Sequence, residues 1–157
     1  MRSICALFCF LILGFYSCIK PPNYPNEPVI EDVYFDKAEY LQNVENFTIT
    51  IEFTDGDGDL GVFDTDTTLN GKLIDTRTGG PTFFKIPFIP QQGVANGISG
   101  RINVTLPVEC CTPMGGLVCL PDPDHPPEEL IYTVQIFDRA GNASNIMNAP
   151  AITLICD

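Results

Sequence analysis

The chain is poor in the residues from which catalysis or nucleic-acid binding is usually inferred. Its 157 residues include no tryptophan, one histidine, and 8 basic residues against 20 acidic ones, for a formal net charge of −12. This balance excludes a nucleic-acid-binding domain, which needs a basic surface to neutralise phosphates. It equally disfavours binding to an anionic membrane through charge alone.

Motifs of the common enzyme classes are also missing. The sequence contains no Gly-x-Ser-x-Gly elbow, phosphate loop or dinucleotide fingerprint. The single imidazole, His125, is flanked by Asp124 and by two prolines, and we expect it to be a solvated residue of a rigid, exposed loop. We therefore predict that the protein is not an enzyme.

No apolar run is long enough to cross a bilayer. Residues 4–15 form a 12-residue apolar segment after Arg2, whereas a spanning helix needs ~20 residues. With Ser17 directly before Cys18, the segment resembles a bacterial lipoprotein signal. The resemblance implies a signal peptide over 1–17, lipidation of Cys18, and anchoring to a bacterial membrane in the cell envelope, facing the periplasm or the exterior. Simple secretion and an uncleaved anchor are the alternatives.

The residues after Cys18 favour an extended spacer. Residues 20–28 include four prolines, and proline fixes its own φ while biasing the preceding residue away from helix. We predict a proline-rich tether over 18–28 and a single domain over 29–157.

The domain shows period-2 alternation of apolar residues and no sustained helical period. This predicts an all-β, Ig-like antiparallel β-sandwich of about seven strands. The predicted strands cover residues 29–35, 47–53, 71–77, 82–89, 102–108, 132–137 and 150–156. On an immunoglobulin-like path, the loops 55–70 and 138–149 become neighbours at the pole where the tether joins. The fifth and seventh strands end at the opposite pole.

An acidic loop follows the second predicted strand. Between Lys37 and Lys72 there is no basic residue, while the acidic ones are Glu39, Glu45, Glu52, Asp55, Asp57, Asp59, Asp64 and Asp66. Crowded carboxylates on glycine hinges repel one another unless a cation joins them. Ca²⁺ fits best because it takes 6–8 oxygen ligands in a flexible shell. We expect Asp55, Asp57 and Asp59 to bind it, with Asp64 and Asp66 in a lesser role. A solvated turn is the alternative.

A second motif lies near the end of the sixth strand. The sequence Asp138-Arg139-Ala140-Gly141-Asn142, together with the acidic loop, resembles Ig-like and cadherin-like modules of bacterial surface proteins. The resemblance implies a Ca²⁺ site near the start of the domain to which Asp138, Asn142 and Glu27 contribute. A hairpin turn is the alternative for the motif itself.

Four cysteines remain if the signal is removed and Cys18 is lipidated. They are Cys110, Cys111, Cys119 and Cys156, and an oxidising compartment would pair them in one of three ways. Strand alternation carried onward to Cys110 and Cys156 favours a Cys110–Cys156 disulfide, with Cys111–Cys119 closing a short loop. A metal site is the alternative.

We therefore expect a membrane-anchored, non-catalytic, Ca²⁺-stabilised module for adhesion, or an accessory subunit of an envelope complex. The alternative is a carbohydrate- or ligand-binding module of the cell surface, since sandwiches bind sugars through exposed aromatic rings. The candidate rings are Phe83, Phe84, Phe88 and Tyr132.

Overall fold

The computed structural model describes residues 23–42, 44–91, 97–112 and 124–156. These residues form β-strands and loops, and no helix occurs among them. None of them belongs to a helix that could span a membrane. The predicted signal peptide, Cys18 and Cys119 lie outside the described residues. The strands are β1 (Val29–Phe35), β2 (Glu39–Leu41), β3 (Asn46–Asp55), β4 (Gly71–Asp75), β5 (Pro81–Phe84), β6 (Ile98–Pro107), β7 (Glu128–Leu130), β8 (Tyr132–Ile136), β9 (Met147–Asn148) and β10 (Ile152–Ile155).

The strands are arranged in three sheets. One has the order β1-β3-β6, one the order β5-β4-β8-β9, and one the order β2-β10-β7. All pairings are antiparallel except that of β2 with β10, which is parallel. The longest ladder joins β3 to β6 from Asn46↔Pro107 to Asp55↔Ile98. At ~3.4 Å per residue it separates the two ends of the domain by about 30 Å.

The all-β prediction is confirmed, but the strands are more broken than the predicted seven. Pro150 has no N–H to donate to a ladder, and β9 and β10 lie on either side of it. The carbonyl of Ile131 accepts the N–H and hydroxyl of Thr76, and β7 ends before this residue. The three residues of β2 are too few for an alternating pattern to reveal.

The core is built by the inward-facing residues that the alternation predicted. On β3 every second residue from Phe47 to Asp55 is buried. Phe47 also contacts the rings of Phe35, Tyr40 and Tyr132, at centroid distances of 5.4 to 6.2 Å. Full burial of one such side chain contributes roughly 1.5–3 kcal/mol. This aromatic cluster holds β1, β2, β3 and β8 together.

The two loops expected to meet at one pole do so. Leu60 and Asp138 form an antiparallel bridge, and the N–H of Arg139 donates to the carbonyl of Asp59 at 3.3 Å. The described residues before β1, which we call the N-terminal arm (23–28), reach the same place, because the N–H of Gly56 donates to the carbonyl of Pro25 at 2.6 Å. We call this end the acidic pole.

At the other end, which we call the disulfide pole, the predicted pairing is wrong. The bond joins Cys111 to Cys156, with the Cα atoms 5.9 Å apart, and Cys110 is also disulfide-bonded. Strand β6 ends at Pro107, so its alternation no longer decides which of the two adjacent cysteines faces inward. The side chain of Gln42 decides it instead. It accepts the N–H of Cys111 at 2.9 Å and donates to the carbonyl of Cys156 at 2.6 Å.

Candidate metal centre

The acidic pole begins where β3 ends. Asp55 is the last residue of that strand and continues its buried face, with 0% of its surface exposed. Its Oδ2 accepts the N–H of Leu60 at 2.9 Å, which closes the loop back on the strand. Gly58 adopts a φ of 69°, a conformation that glycine adopts without steric cost. The turn thus returns Asp57 and Asp59 toward Asp55.

Three carboxylates converge in this turn. One oxygen each from Asp55, Asp57 and Asp59 lies within 4.8 Å of the other two. The Oδ1 atoms of these three residues are buried, and none has a hydrogen-bond partner within the part of the chain that the structure describes. Buried carboxylate oxygens without partners are costly. The three carboxylates therefore carry buried acceptor oxygens that call for a positive partner.

The electrostatics follow from this crowding. Burial raises the pKa of Asp55 to about 6; the N–H of Leu60 opposes the rise, and the neighbouring carboxyl of Asp57, by hydrogen bonding and charge, and the charge of Asp59 add to it. Burial also raises the pKa of Asp59; the charges of Asp138 and Asp57 reinforce the effect, and the charge of Arg139 and the N–H of Ala140 oppose it. Both carboxyl groups therefore resist ionisation unless a positive charge comes among them.

The donor set fits a hard cation. Two oxygens that bind one Ca²⁺ at ~2.4 Å can be at most ~4.8 Å apart, and the three carboxylates meet this limit. They supply oxygen only, whereas Zn²⁺ prefers histidine or cysteine ligands. Three carboxylates provide three of the 6–8 oxygens that Ca²⁺ takes, which leaves positions for water or backbone carbonyls.

The other predicted ligands are not part of this cluster. Asp138 accepts the N–H and the side-chain amide of Asn142 at 2.7 and 2.8 Å, so both of its oxygens already stabilise their own turn. Asp66 accepts the N–H and hydroxyl of Thr68. Asp64 and Glu27 are exposed. Within the cluster, then, the structure retains only Asp55, Asp57 and Asp59 of the expected metal ligands.

One residue that holds the acidic loop was not predicted from the sequence. The ammonium of Lys85 donates to the carbonyls of Phe63, Asp64 and Asp66 at 3.0, 3.1 and 2.6 Å. It neutralises the second half of the acidic loop, although it lies about twenty residues further along the chain. The absence of basic residues between Lys37 and Lys72 therefore does not mean that the folded loop lacks cations, because Lys85 and Arg139 reach it from other segments.

The expectation of a solvated His125 is wrong. Its side chain is 9% exposed, and its Nε2 lies 3.3 Å from Oε1 of Glu128. A ligand atom of His125 also lies within 4.8 Å of those of Cys111 and Cys156. Because these two sulfurs form a disulfide, they are not available as thiolate ligands, and the group belongs to the disulfide pole.

The aromatic candidates for sugar binding divide in two. Phe84 and Tyr132 are 4% and 1% exposed, so they belong to the core and not to a binding surface. Phe83 and Phe88 are 51% and 38% exposed. Phe88 stacks on Phe63, which the sequence reasoning did not single out because the two rings are distant in the chain.

Comparison with protein-family models, curated proteins and solved structures found no match for this chain. The interpretation of the acidic pole therefore depends on its own geometry.

Proposed function

We propose that the protein is a membrane-anchored, non-catalytic module of the bacterial cell envelope that binds Ca²⁺ through Asp55, Asp57 and Asp59. The observation that carries the proposal is the convergence of three carboxylates, each of which has a buried Oδ1 atom without a hydrogen-bond partner among the described residues. A divalent cation at this point satisfies all three and removes their mutual repulsion. Among the described residues, no hydrogen-bond donor contacts these Oδ1 atoms.

The ion would act where the N-terminal arm, the end of the predicted tether, meets the domain. Gly56 lies between two of the ligands, and its N–H holds the carbonyl of Pro25 in the N-terminal arm. Asp59 accepts the N–H of Ala140 at 3.1 Å, which ties in the loop after β8. An ion that binds only the ordered loop stabilises it by mass action. It thereby fixes the direction in which the arm leaves the domain.

The strand grouping supports an Ig-like arrangement. In such sandwiches the first, second, fourth and fifth strands share one sheet, and the third, sixth and seventh share the other. If β1, β3 and β6 are strands A, B and E, their common sheet corresponds to the first group. Strands β4, β8 and β9 then correspond to C, F and G, whereas β5, in the place of D, pairs with β4 and departs from this pattern. Adhesion, or an accessory role in an envelope complex, is the activity that such a tethered module would serve.

The anchor and location rest on the sequence around Cys18 and on the cysteine usage. A disulfide between Cys111 and Cys156 is stable in an oxidising compartment such as the periplasm or cell surface. Replacement of Cys18 by Ser should release the protein from membranes or block its processing, which fractionation and immunoblotting would show. A Cys18→Ser protein that still fractionates with membranes would contradict the anchor.

The calcium proposal is tested by thermal unfolding of the whole chain, purified in detergent, in about 2 mM Ca²⁺ and in EGTA. We expect Ca²⁺ to raise Tm by several degrees, because occupancy above a Kd in the 0.1–1 mM range typical of extracellular modules stabilises the folded state. Asp57→Asn removes one ligand charge and should abolish the shift.

The matched control is Asp64→Asn, which removes one charge from the same loop outside the cluster and should keep the full shift. A Ca²⁺ shift below about 1 °C in the unmodified chain contradicts the proposal. So does an equal loss of the shift in both variants, because that result would indicate general screening of charge.

A further inference from the structure

A pair of exposed aromatic rings lies beside the acidic loop and has no role in the proposed calcium site. Phe63 and Phe88 are 55% and 38% exposed. Their rings stack with centroids 4.4 Å apart and planes at 16°. We call these two rings, together with Arg139, the aromatic platform. Exposed apolar side chains that form one contiguous patch, as these two rings do, can mark a binding site.

The backbone that carries the rings is held in place. The N–H of Val62, next to Phe63, donates to the carbonyl of Ile86 at 3.0 Å. Gly61 packs so closely on the segment before Phe88 that a Cβ there would lie 2.2 Å from the carbonyl oxygen of Pro87. Because these contacts form before any ligand binds, little ordering entropy remains to be lost on binding.

Arg139 adds hydrogen-bond donors at the edge of the rings. Its guanidinium carbon lies 5.3 Å from the centroid of Phe88 and 5.9 Å from that of Phe63. Its Nη1 donates to the carbonyl of Gly61 at 2.8 Å, which fixes the side chain. Within the described part of the chain, its Nε and Nη2 donate no hydrogen bond. They are available to a ligand that stacks on the outer face of one of the rings.

We propose that the aromatic platform binds a pyranose ring of a neutral glycan. The C–H face of a sugar carries partial positive charge and complements the negative face of an aromatic ring. Its hydroxyl oxygens accept hydrogen bonds from a guanidinium, which has five N–H donors. A sugar is therefore a ligand that contacts an aromatic ring and the guanidinium of Arg139 at the same time.

The negative charge around the platform favours a neutral sugar over an anionic one. The chain has a net charge of −12, and the N–H of Arg139 bonds directly to the carbonyl of Asp59 in the acidic cluster. An anionic ligand approaching Arg139 would meet the field of these carboxylates, whereas an uncharged polyol would not. The proposal does not require the calcium ion, although both sites share the loop from Asp59 to Phe63.

The test is affinity electrophoresis of the whole chain, purified in detergent, on native gels containing laminarin, xyloglucan or polygalacturonate. We expect at least one neutral polysaccharide to retard the protein and polygalacturonate to have no effect. The double variant Phe63→Ala/Phe88→Ala should weaken the retardation at least tenfold in apparent Kd, or about 1.4 kcal/mol. Phe83→Ala, which removes an equally exposed ring from β5, should leave it unchanged.

Several results would overturn the proposal. They are no retardation by either neutral polysaccharide, equal retardation of the double variant, or retardation by polygalacturonate alone, which would indicate an anion site at Arg139. If the double variant does not fold, Arg139→Gln provides the second test and should weaken binding several-fold. Gels run with Ca²⁺ and with EGTA separate the two proposals, because retardation in either buffer supports the platform whether or not the ion binds.

Discussion

The two poles of the domain handle buried carboxylates in opposite ways. At the disulfide pole, burial alone would raise the pKa of Glu128, but hydrogen bonds from Thr112 and Arg77 hold it below its ordinary value. At the acidic pole, the pKa of Asp55 is raised to about 6 by burial, and its Oδ1 has no partner among the described residues. The disulfide pole carries its own counter-charge, whereas at the acidic pole the charge of Arg139 opposes but does not cancel the raised pKa of Asp59, and we propose that a cation from solution completes the neutralisation.

The covalent bond adds to this contrast. Cys111 and Cys156 are joined across 45 residues, and Gln42 hydrogen-bonds to the backbone of both. Order at this end is therefore independent of ions. At the acidic end, the arm, the loop and the β8–β9 connection meet through backbone hydrogen bonds around an unsatisfied cluster. If Ca²⁺ binds as proposed, the domain combines a permanent crosslink at one end with a conditional one at the other.

The largest expected effect comes from removing the permanent crosslink. The double variant Cys111→Ala/Cys156→Ala should lose about 4 kcal/mol of unfolding free energy, because a closed loop of 45 residues no longer restricts the unfolded chain. Urea unfolding measures the loss. The loss should be the same with Ca²⁺ and with EGTA. A loss that depends on Ca²⁺ would show that the two poles are coupled.

A smaller effect is expected where the arm meets the acidic loop. A Cβ on Gly56 would lie 2.3 Å from the carbonyl oxygen of Tyr24 and 2.4 Å from that of Pro25, so Gly56→Ala must displace the arm. We expect a loss of about 2–3 kcal/mol in urea unfolding and a weaker response to Ca²⁺. Gly100→Ala, whose Cβ would only touch Phe53 at 3.7 Å, is the control. Equal losses in the two variants would contradict the close contact.

The smallest effect is the pH dependence of the acidic pole without ions. The raised pKa of Asp55, about 6, means that the folded state binds a proton more tightly than the unfolded state. The bound proton therefore adds to the unfolding free energy below about pH 4, and this contribution is lost as the pH rises through about 6. Its size is on the order of 2 kcal/mol. The measurement is the difference in unfolding free energy between the unmodified chain and Asp55→Asn in EGTA, from pH 4 to 7.

Saturating Ca²⁺ should reverse this trend, because the ion binds the ionised carboxylates and competes with protons. The unmodified chain should then gain stability relative to Asp55→Asn as pH rises. A difference between the two proteins that does not change with pH, in either buffer, would place Asp55 in an ordinary ionised state and break the contrast between the poles.

Part of the acidic pole could be predicted from the local sequence. The alternation from Phe47 to Phe53 predicted the buried face of β3, and Asp55 continues that face, so its burial was implicit in the pattern. The spacing of Asp55, Asp57 and Asp59 by single residues predicted their convergence. By contrast, Asp138 accepts hydrogen bonds from Asn142 within its own turn, which the same motif fits as well as it fits metal binding.

The amino-acid sequence by itself determined the all-β class, the inward face of each long strand and the position of the acidic turn, because these depend on alternation and on neighbours a few residues apart. Only the tertiary structure decided that Cys111 and not Cys110 pairs with Cys156. It also brought Lys85 to the second half of the acidic loop and Phe88 onto Phe63. Each of these contacts joins residues about twenty or more positions apart, and the packing of separate strands, which no local pattern encodes, sets the distance between them.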